Sequence, residues 1–294
     1  MSKTAILIVN GPSDTPYGTW IEMCLSKIVQ YTDPAGHHVF LWNNNTHDIE
    51  LTKRLQGYRN LTLVQYEQSQ KLTHFHREPL QRLYQCALRE GLGNEDYVFT
   101  LDNDSFPIKT GWLPYITSQL NEKTVLAGVW RDELKKGIKP YVHPSGLCIS
   151  VDYIKSRDLR FDTIQNGEFD ASDTLSHFTD QARADERTIF KLRRSNKNNY
   201  HRLLGGIYGD TIYHHGAGSR NSFKLWDERH LSNLKPIRNR NRLARDVMTK
   251  MLFLHYDTYI AWLRNGKAED KRVKRLFQVL NWQMRIKQYV PGLR

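Results

Sequence analysis

The sequence predicts an α/β protein with a mostly parallel central sheet flanked by helices, continued by a basic, helical C-terminal region. Three observations carry this. Short apolar runs rich in β-branched residues alternate with helical periodicity through the first third of the chain, the order that builds parallel sheets with crossover helices. The runs stop abruptly at polar residues, at Asn10-Gly11, Asn43 and Asp102 to Asp104, and ligands of such sheets bind just beyond the carboxyl ends of the strands. Charge is segregated as well. Residues 1–190 hold 20 Lys and Arg against 24 Asp and Glu, and residues 191–294 hold 23 against 7, so a slightly acidic body (−4) precedes a strongly basic tail (+16).

In chain order, Thr4 to Val9 (TAILIV) is the first strand, and Asn-Gly-Pro closes it. Thr19 to Tyr31 repeats Trp20, Met23, Cys24, Ile28 and Val29 at helical spacing. His38 to Trp42 is a second strand stopped by three asparagines, and Leu61 to Tyr66 a third. Pro79 to Glu90 reads as a helix with Leu80, Leu83, Tyr84 and Ala87 inward, ended by Gly91 and Gly93. It delivers the chain to Tyr97–Phe106, YVFTLDNDSF, whose apolar run ends in Asp102 and Asp104. The segment from Val247 to Tyr289 spaces Leu, Phe, Trp and Tyr as two or three amphipathic helices with a basic face.

A chain of 294 residues with 39% apolar content can build a sizeable core, as one domain over 1–235 and a basic helical region over 236–294. The opening lacks the order of a signal peptide. The most apolar long stretch, Val247 to Leu263, contains Lys250, His255 and Asp257, which argues against a membrane span. Cys24, Cys86 and Cys148 are odd in number and far apart, the pattern of reduced thiols. These features set the expectation of a cytoplasmic protein, with the basic tail able to lie peripherally on an anionic membrane. Asn44-Asn45-Thr46 and Asn60-Leu61-Thr62 are then chance matches to a glycosylation pattern.

The chemistry concentrates at two places. Asp102 and Asp104 alternate at a strand end and can share one face, which suits a hard cation such as Mn²⁺ or Mg²⁺ with phosphate as a further ligand. The same residues also form ordinary turns. The second place is Ile207 to Arg220, IYGDTIYHHGAGSR, where His214 and His215 end a short strand. Adjacent residues point to opposite faces, so at most one of the two is expected to join the aspartates, and His215, nearer the strand end, is preferred, while either could instead be a partly buried, hydrogen-bonded side chain. Arg220 and Lys224 are candidates for holding a pyrophosphate. There is no Gly-x-Gly-x-x-Gly after the first strand and no Gly-x-x-x-x-Gly-Lys-Ser/Thr anywhere, so any phosphate would be held by metal and cationic side chains.

TAILIVNG, YVFTLDNDSF, Pro144-Ser145-Gly146-Leu147-Cys148-Ile149-Ser150 followed by LRFD, and IYHHGAGSR come in the order found in GT-A nucleotide-sugar glycosyltransferases. The chain resembles that family over residues 1 to about 225. The resemblance implies a GT-A Rossmann-like fold and a donor of the UDP, GDP or dTDP sugar type. It implies a saccharide or lipid-linked acceptor and a metal held by Asp102, Asp104 and a later histidine. It places Val9, Asn10, Gly11 and Asn43 at the base and ribose. His74, Arg77, Arg82 and Asn103 fall near the nucleotide or sugar, and Gly146 lies beside the donor sugar, unless that glycine only relieves a crowded bend. Inverting members use a carboxylate base at the start of a helix. Asp170 and Asp173 fit, with Asp170 preferred, although each is also a helix-capping candidate, and the Glu-Asp pair of many inverting relatives is absent.

Two other classes compete with this reading. A sugar-phosphate nucleotidyltransferase would use the same fold and metal, but Gly11-Pro12-Ser13-Asp14 lacks the basic part of its usual loop. A non-enzymatic module would bind nucleic acid or membrane through the tail. Nucleic acid is the less favoured partner, and its binding would fall steeply with salt.

Overall fold

The computed structural model describes residues 2–11, 14–67, 74–132, 139–163, 174–200, 204–216 and 235–265, with isolated positions beyond. The strands are β1 Thr4–Asn10, β2 Asp14–Thr15, β3 Gly18–Thr19, β4 His37–Asn43, β5 Leu61–Gln65, β6 Tyr97–Asp102, β7 Ser105–Pro107, β8 Thr124–Arg131, β9 Tyr141–Ser150, β10 Thr188–Leu192, β11 Gly206–Tyr208 and β12 Ile212–His214. The helices are α1 Trp20–Tyr31, α2 Ile49–Gln56, α3 Arg77–Arg89, α4 Trp112–Thr117, α5 Val151–Ser156, α6 Ser176–Ala184, α7 Lys235–Leu254 and α8 Tyr256–Asn265.

Seven strands form one sheet in the order β10-β8-β9-β6-β1-β4-β5. β5, β4, β1 and β6 run parallel, as do β10 and β8, while β9 is antiparallel to both its neighbours. The expected first half is present. β1 is buried along its whole length, as a central parallel strand covered on both faces must be. α3 buries Leu80, Leu83, Tyr84 and Ala87, and Gly91 follows it at φ +92°, a left-handed position that glycine adopts without strain. In α1 the inward residues are Trp20, Ile21, Cys24, Leu25 and Ile28. Val29 faces out at 61% exposure, because the buried stripe runs i, i+4, i+8 from Trp20.

The antiparallel strand β9 is the least regular part of the sheet. Its pairing with β8 shifts register, from Gly128↔Leu147 to Trp130↔Val142, so residues 143–146 stand opposite Val129 alone. Pro144 has no N–H to give a ladder, and such a bulge re-aims the side chains within it. Two glycines make it possible. A Cβ on Gly128, at φ +147°, would collide with the Gly146 carbonyl oxygen and come within 2.8 Å of Val142 Cγ1. A Cβ on Gly146 would lie 2.6 Å from Val129 Cγ2.

β7 leaves the large sheet after the turn at Asn103-Asp104 and enters a second, three-stranded sheet, β11-β12-β7. The two described C-terminal helices, in the region expected to follow the main domain, pack against this body. Val247, Met248, Met251 and Leu252 of α7 and Tyr259, Ile260 and Leu263 of α8 belong to the same buried cluster as Trp20, Phe106 and Tyr213. Burying these side chains is worth about 1.5–3 kcal/mol each, so the helices through residue 265 are part of the main core. No helix among the described residues is long and apolar enough to cross a membrane. All three cysteines are free, and burial first of all raises the Cys24 and Cys148 thiols far above their ordinary range.

Candidate functional site

β6 ends at Asp102, and the next two residues turn the chain into β7, so the two aspartates sit where the large and small sheets meet. β12 pairs with β7 so that His214 lies opposite Ser105, one residue after Asp104. This register sets the His214 ring beside both carboxylates, with Nε2 3.5 Å from Asp102 Oδ2 and 3.7 Å from Asp104 Oδ1. The β9 bulge brings His143 to the same place, with Nδ1 3.8 Å from Asp102 Oδ2. His76, just before α3, approaches the other oxygen, with Nε2 3.5 Å from Oδ1.

One ligand atom each from Asp102, His143 and His214 lie within 4.8 Å of one another. The separations from Asp102 exceed good hydrogen-bond lengths. They are at or a little beyond the roughly 3–3.5 Å that separates ligands about 2.1 Å from one metal, so a small inward shift of the side chains would let them share an ion. Protonation also fits. Burial raises the Asp102 carboxyl, but the histidines around it, His76 first and then His143, outweigh that and hold it well below the ordinary carboxylate range. Burial, and next the neighbouring His143, push His214 well below its usual value, leaving it neutral. An ionised carboxylate and a neutral imidazole are the forms that ligate.

The preference for His215 is corrected. Its ring turns to the opposite face, where Tyr213 OH lies 2.9 Å from Nδ1 and Thr249 Oγ1 3.2 Å from Nε2, and Trp20 packs 4.5 Å away between ring centroids. Both ring nitrogens are engaged in the core, while its backbone N–H donates to the Asp104 carbonyl.

Asn10 and Asn43 are also placed differently from the expectation that they line the base and ribose. They are 2% and 0% exposed, and Asn10 Nδ2 donates to Asn43 Oδ1 at 2.9 Å while Asn103 Nδ2 donates to Asn10 Oδ1 at 3.1 Å. The Val9 side chain is buried in the core beside α3. Gly11 does have open space where a side chain would be. Gly146 is a packing glycine, closed in by Val129 and Ile212. Arg77 donates to the Thr163 carbonyl at 3.3 Å, and Arg82 lies over Trp42 at 5.6 Å. Asp170, Asp173, Arg220 and Lys224 lie outside the described residues.

The residues missed by sequence reasoning are His143 and His76. The signal for His143 was a proline and two small residues directly after a histidine within an apolar strand, which is a bulge signature. His76 had no comparable signal, because its approach to Asp102 depends on the packing of α3 against β1 and β4.

No protein-family model matches the chain, and no curated protein matches it. Among solved structures, it is similar to S. aureus TarS 1-349, at 14% identity over 92% of this chain and 73% of that one, with a TM-score of 0.47. It is similar to the same fragment in complex with UDP-GlcNAc, at 12% identity over 96% and 80% of the two chains, with a TM-score of 0.48. A third similar structure is GalNAc-T7 with UDP, GalNAc and Mn2+, at 11% identity over 44% of this chain and 23% of that one, with a TM-score of 0.32.

Proposed function

We propose that this chain is a metal-dependent glycosyltransferase that moves a sugar from a nucleoside-diphosphate donor to an acceptor hydroxyl. The observation that carries the reading is the grouping of Asp102, His143 and His214 at the carboxyl edge of a mostly parallel sheet, where ligands of such sheets bind. Asp102, His214 and His143 would hold the cation, with Asp104 beside His214. When bound, the cation would neutralise charge on the leaving diphosphate. Two imidazoles among three donors suit a first-row transition ion, and Mn²⁺ more than Mg²⁺, which favours oxygen ligands.

The chain's own groups have separate tasks. Asp102 would supply the negative charge at the cation, and the buried His214 a neutral nitrogen. Gly11 leaves room beyond β1 for the nucleotide to pass. Arg220 and Lys224 are proposed to contact the diphosphate, and Asp170 or Asp173 to take the proton from the acceptor hydroxyl as it attacks the anomeric carbon. The acceptor is proposed to be a saccharide or a lipid-linked hydroxyl, reached by a protein lying peripherally on an anionic membrane through its basic tail.

Isothermal calorimetry against UDP, GDP and dTDP, each with MnCl₂ and with EDTA, tests the reading. Binding of one nucleotide that requires Mn²⁺ and is lost in Asp102→Ala is the expected result. Nucleotide binding that EDTA leaves unchanged would overturn the metal assignment. Release of pyrophosphate from a nucleoside triphosphate and a sugar phosphate would favour the nucleotidyltransferase instead.

A further inference from the structure

Two neighbouring strands, β4 and β1, end at the same level in asparagine, and β6 beside them ends in Asp102 with Asn103 directly after it. Asn10 pairs in register with Asn43, and Val9 with Asp102, so Asn103 comes level with Asn10 across the sheet. Their amides join into a ladder of one polarity. Asn103 Nδ2 donates to Asn10 Oδ1, Asn10 Nδ2 donates to Asn43 Oδ1, and Asn43 Nδ2 donates to the Asn45 carbonyl at 3.3 Å. The Asn45 backbone N–H returns to Asn43 Oδ1 at 3.1 Å, closing the far end. Backbone bonds reinforce the same line, from Asn44 N–H to the Asn10 carbonyl and from Tyr66 N–H to the Asn43 carbonyl.

Asn10 and Asn43 are too deeply buried to meet a ligand, and an amide in such a place is costly unless each of its groups is bonded. The outer end of the ladder is Asn103, the residue between the two aspartates. Bonds that run in one direction polarise one another, and supports of this kind orient the ligands of a metal site.

We infer that Asn10 and Asn43 are positioning residues that act through Asn103 to fix the Asp102–Asp104 turn in the shape that holds the cation. This rests on the metal reading above. The ladder begins at the core between β4 and β1 and ends at the turn, so it sets the angle of the Asp102 carboxylate from behind while the three histidines meet it from the front.

The test is calorimetric titration of MnCl₂ into the full chain and into Asn103→Ala, Asn10→Ala, the double variant and Asp102→Ala, with the melting temperature of each metal-free protein. Asn103 is half-buried, so Asn103→Ala should melt close to wild type yet bind Mn²⁺ about 10-fold more weakly, the scale of a lost supporting contact. Asn10→Ala should melt lower and show a similar loss of affinity. The double variant should bind no worse than the weaker single variant, because both cut one chain of bonds. Wild-type affinity in Asn103→Ala, or losses that multiply in the double variant, would overturn the ladder's role while leaving the metal site standing, provided Asp102→Ala abolishes binding. A wild-type chain that binds no Mn²⁺ would overturn both. Should Asn10→Ala fail to fold, Asn103→Ala alone decides.

Discussion

The parallel and antiparallel halves of the central sheet contribute different things to the site. The parallel half, β5-β4-β1-β6, is regular, is buried along β1 and most of β4 and β6, and ends in Asp102 and the asparagine ladder. The antiparallel side, β9 with the small sheet β11-β12-β7, is bulged and brings His143 and His214. The carboxylate is thus set at the end of a mostly buried strand paired in the parallel part of the sheet. The imidazoles ride on the part whose geometry depends on close backbone contacts, and neither half is a site alone.

The largest expected effect comes from breaking the antiparallel half at its hinge. Gly128→Ala should cost about 4 kcal/mol or more, or prevent folding, because the new Cβ meets backbone at the Gly146 carbonyl at a strained positive φ. Urea denaturation checks this, and a loss under about 1 kcal/mol would show that the bulge can relax.

Next come the proposed ligands, Asp102 from the parallel half and two histidines from the other side. Asp102→Ala should weaken Mn²⁺ binding by at least about 100-fold, since changes in supporting residues alone cost 10–100-fold. His214→Ala should approach the same loss. His143→Ala should lose roughly 10-fold, because Nδ1 also accepts the Ser145 backbone N–H at 3.1 Å, a bond that metal ligation through that atom would replace. Calorimetry ranks them, and a His143→Ala variant equal to wild type would confine the site to Asp102, Asp104 and His214. A third comparison uses the metal: Mn²⁺ should bind more tightly than Mg²⁺, and the gap should shrink in His143→Ala if that imidazole sets the preference.

A last comparison separates His214, at the end of β12, from its neighbour His215. Burial, with the Arg245 charge adding to it, pushes His215 down to about 3. A folded-state value below the unfolded one means that the unfolded chain binds the extra proton. The stability this group confers is therefore intact above about pH 6.5 and lost as pH falls toward 3. Between pH 7 and pH 5 in EDTA, the full chain should lose about 2 kcal/mol more stability than His215→Gln. Equal losses would mean that the ring protonates without leaving its pocket.

Much of the parallel half was legible in the sequence because local rules agree with the tertiary outcome there. Thr4–Asn10, His37–Asn43 and Tyr97–Asp102 are apolar runs with polar stops, and α3 carries its inward face at helical spacing. The long antiparallel β9 was not legible, since His143, Pro144 and Gly146 interrupt its pattern, and the bulge becomes intelligible only against Gly128 and Val129. Likewise the sequence spacing implied that at most one of two adjacent histidines faces the aspartates, while the choice between them needed the register of β12 on β7.

By itself, then, the sequence determined the α/β order, the strand ends where polar residues gather, and Asp102 and Asp104 as the centre of interest, because periodicity and strand-ending residues are properties of neighbours along the chain. Only the tertiary structure decided that His143 and His214 lie beside Asp102, that His215 belongs to the core, that Asn10 and Asn43 are buried in one hydrogen-bonded line with Asn103, and that the C-terminal helices through residue 265 pack into the main core. Each of those depends on which strand lies beside which and in what register, and residues far apart in the chain acquire a common chemistry only when the sheets bring them within a few ångströms.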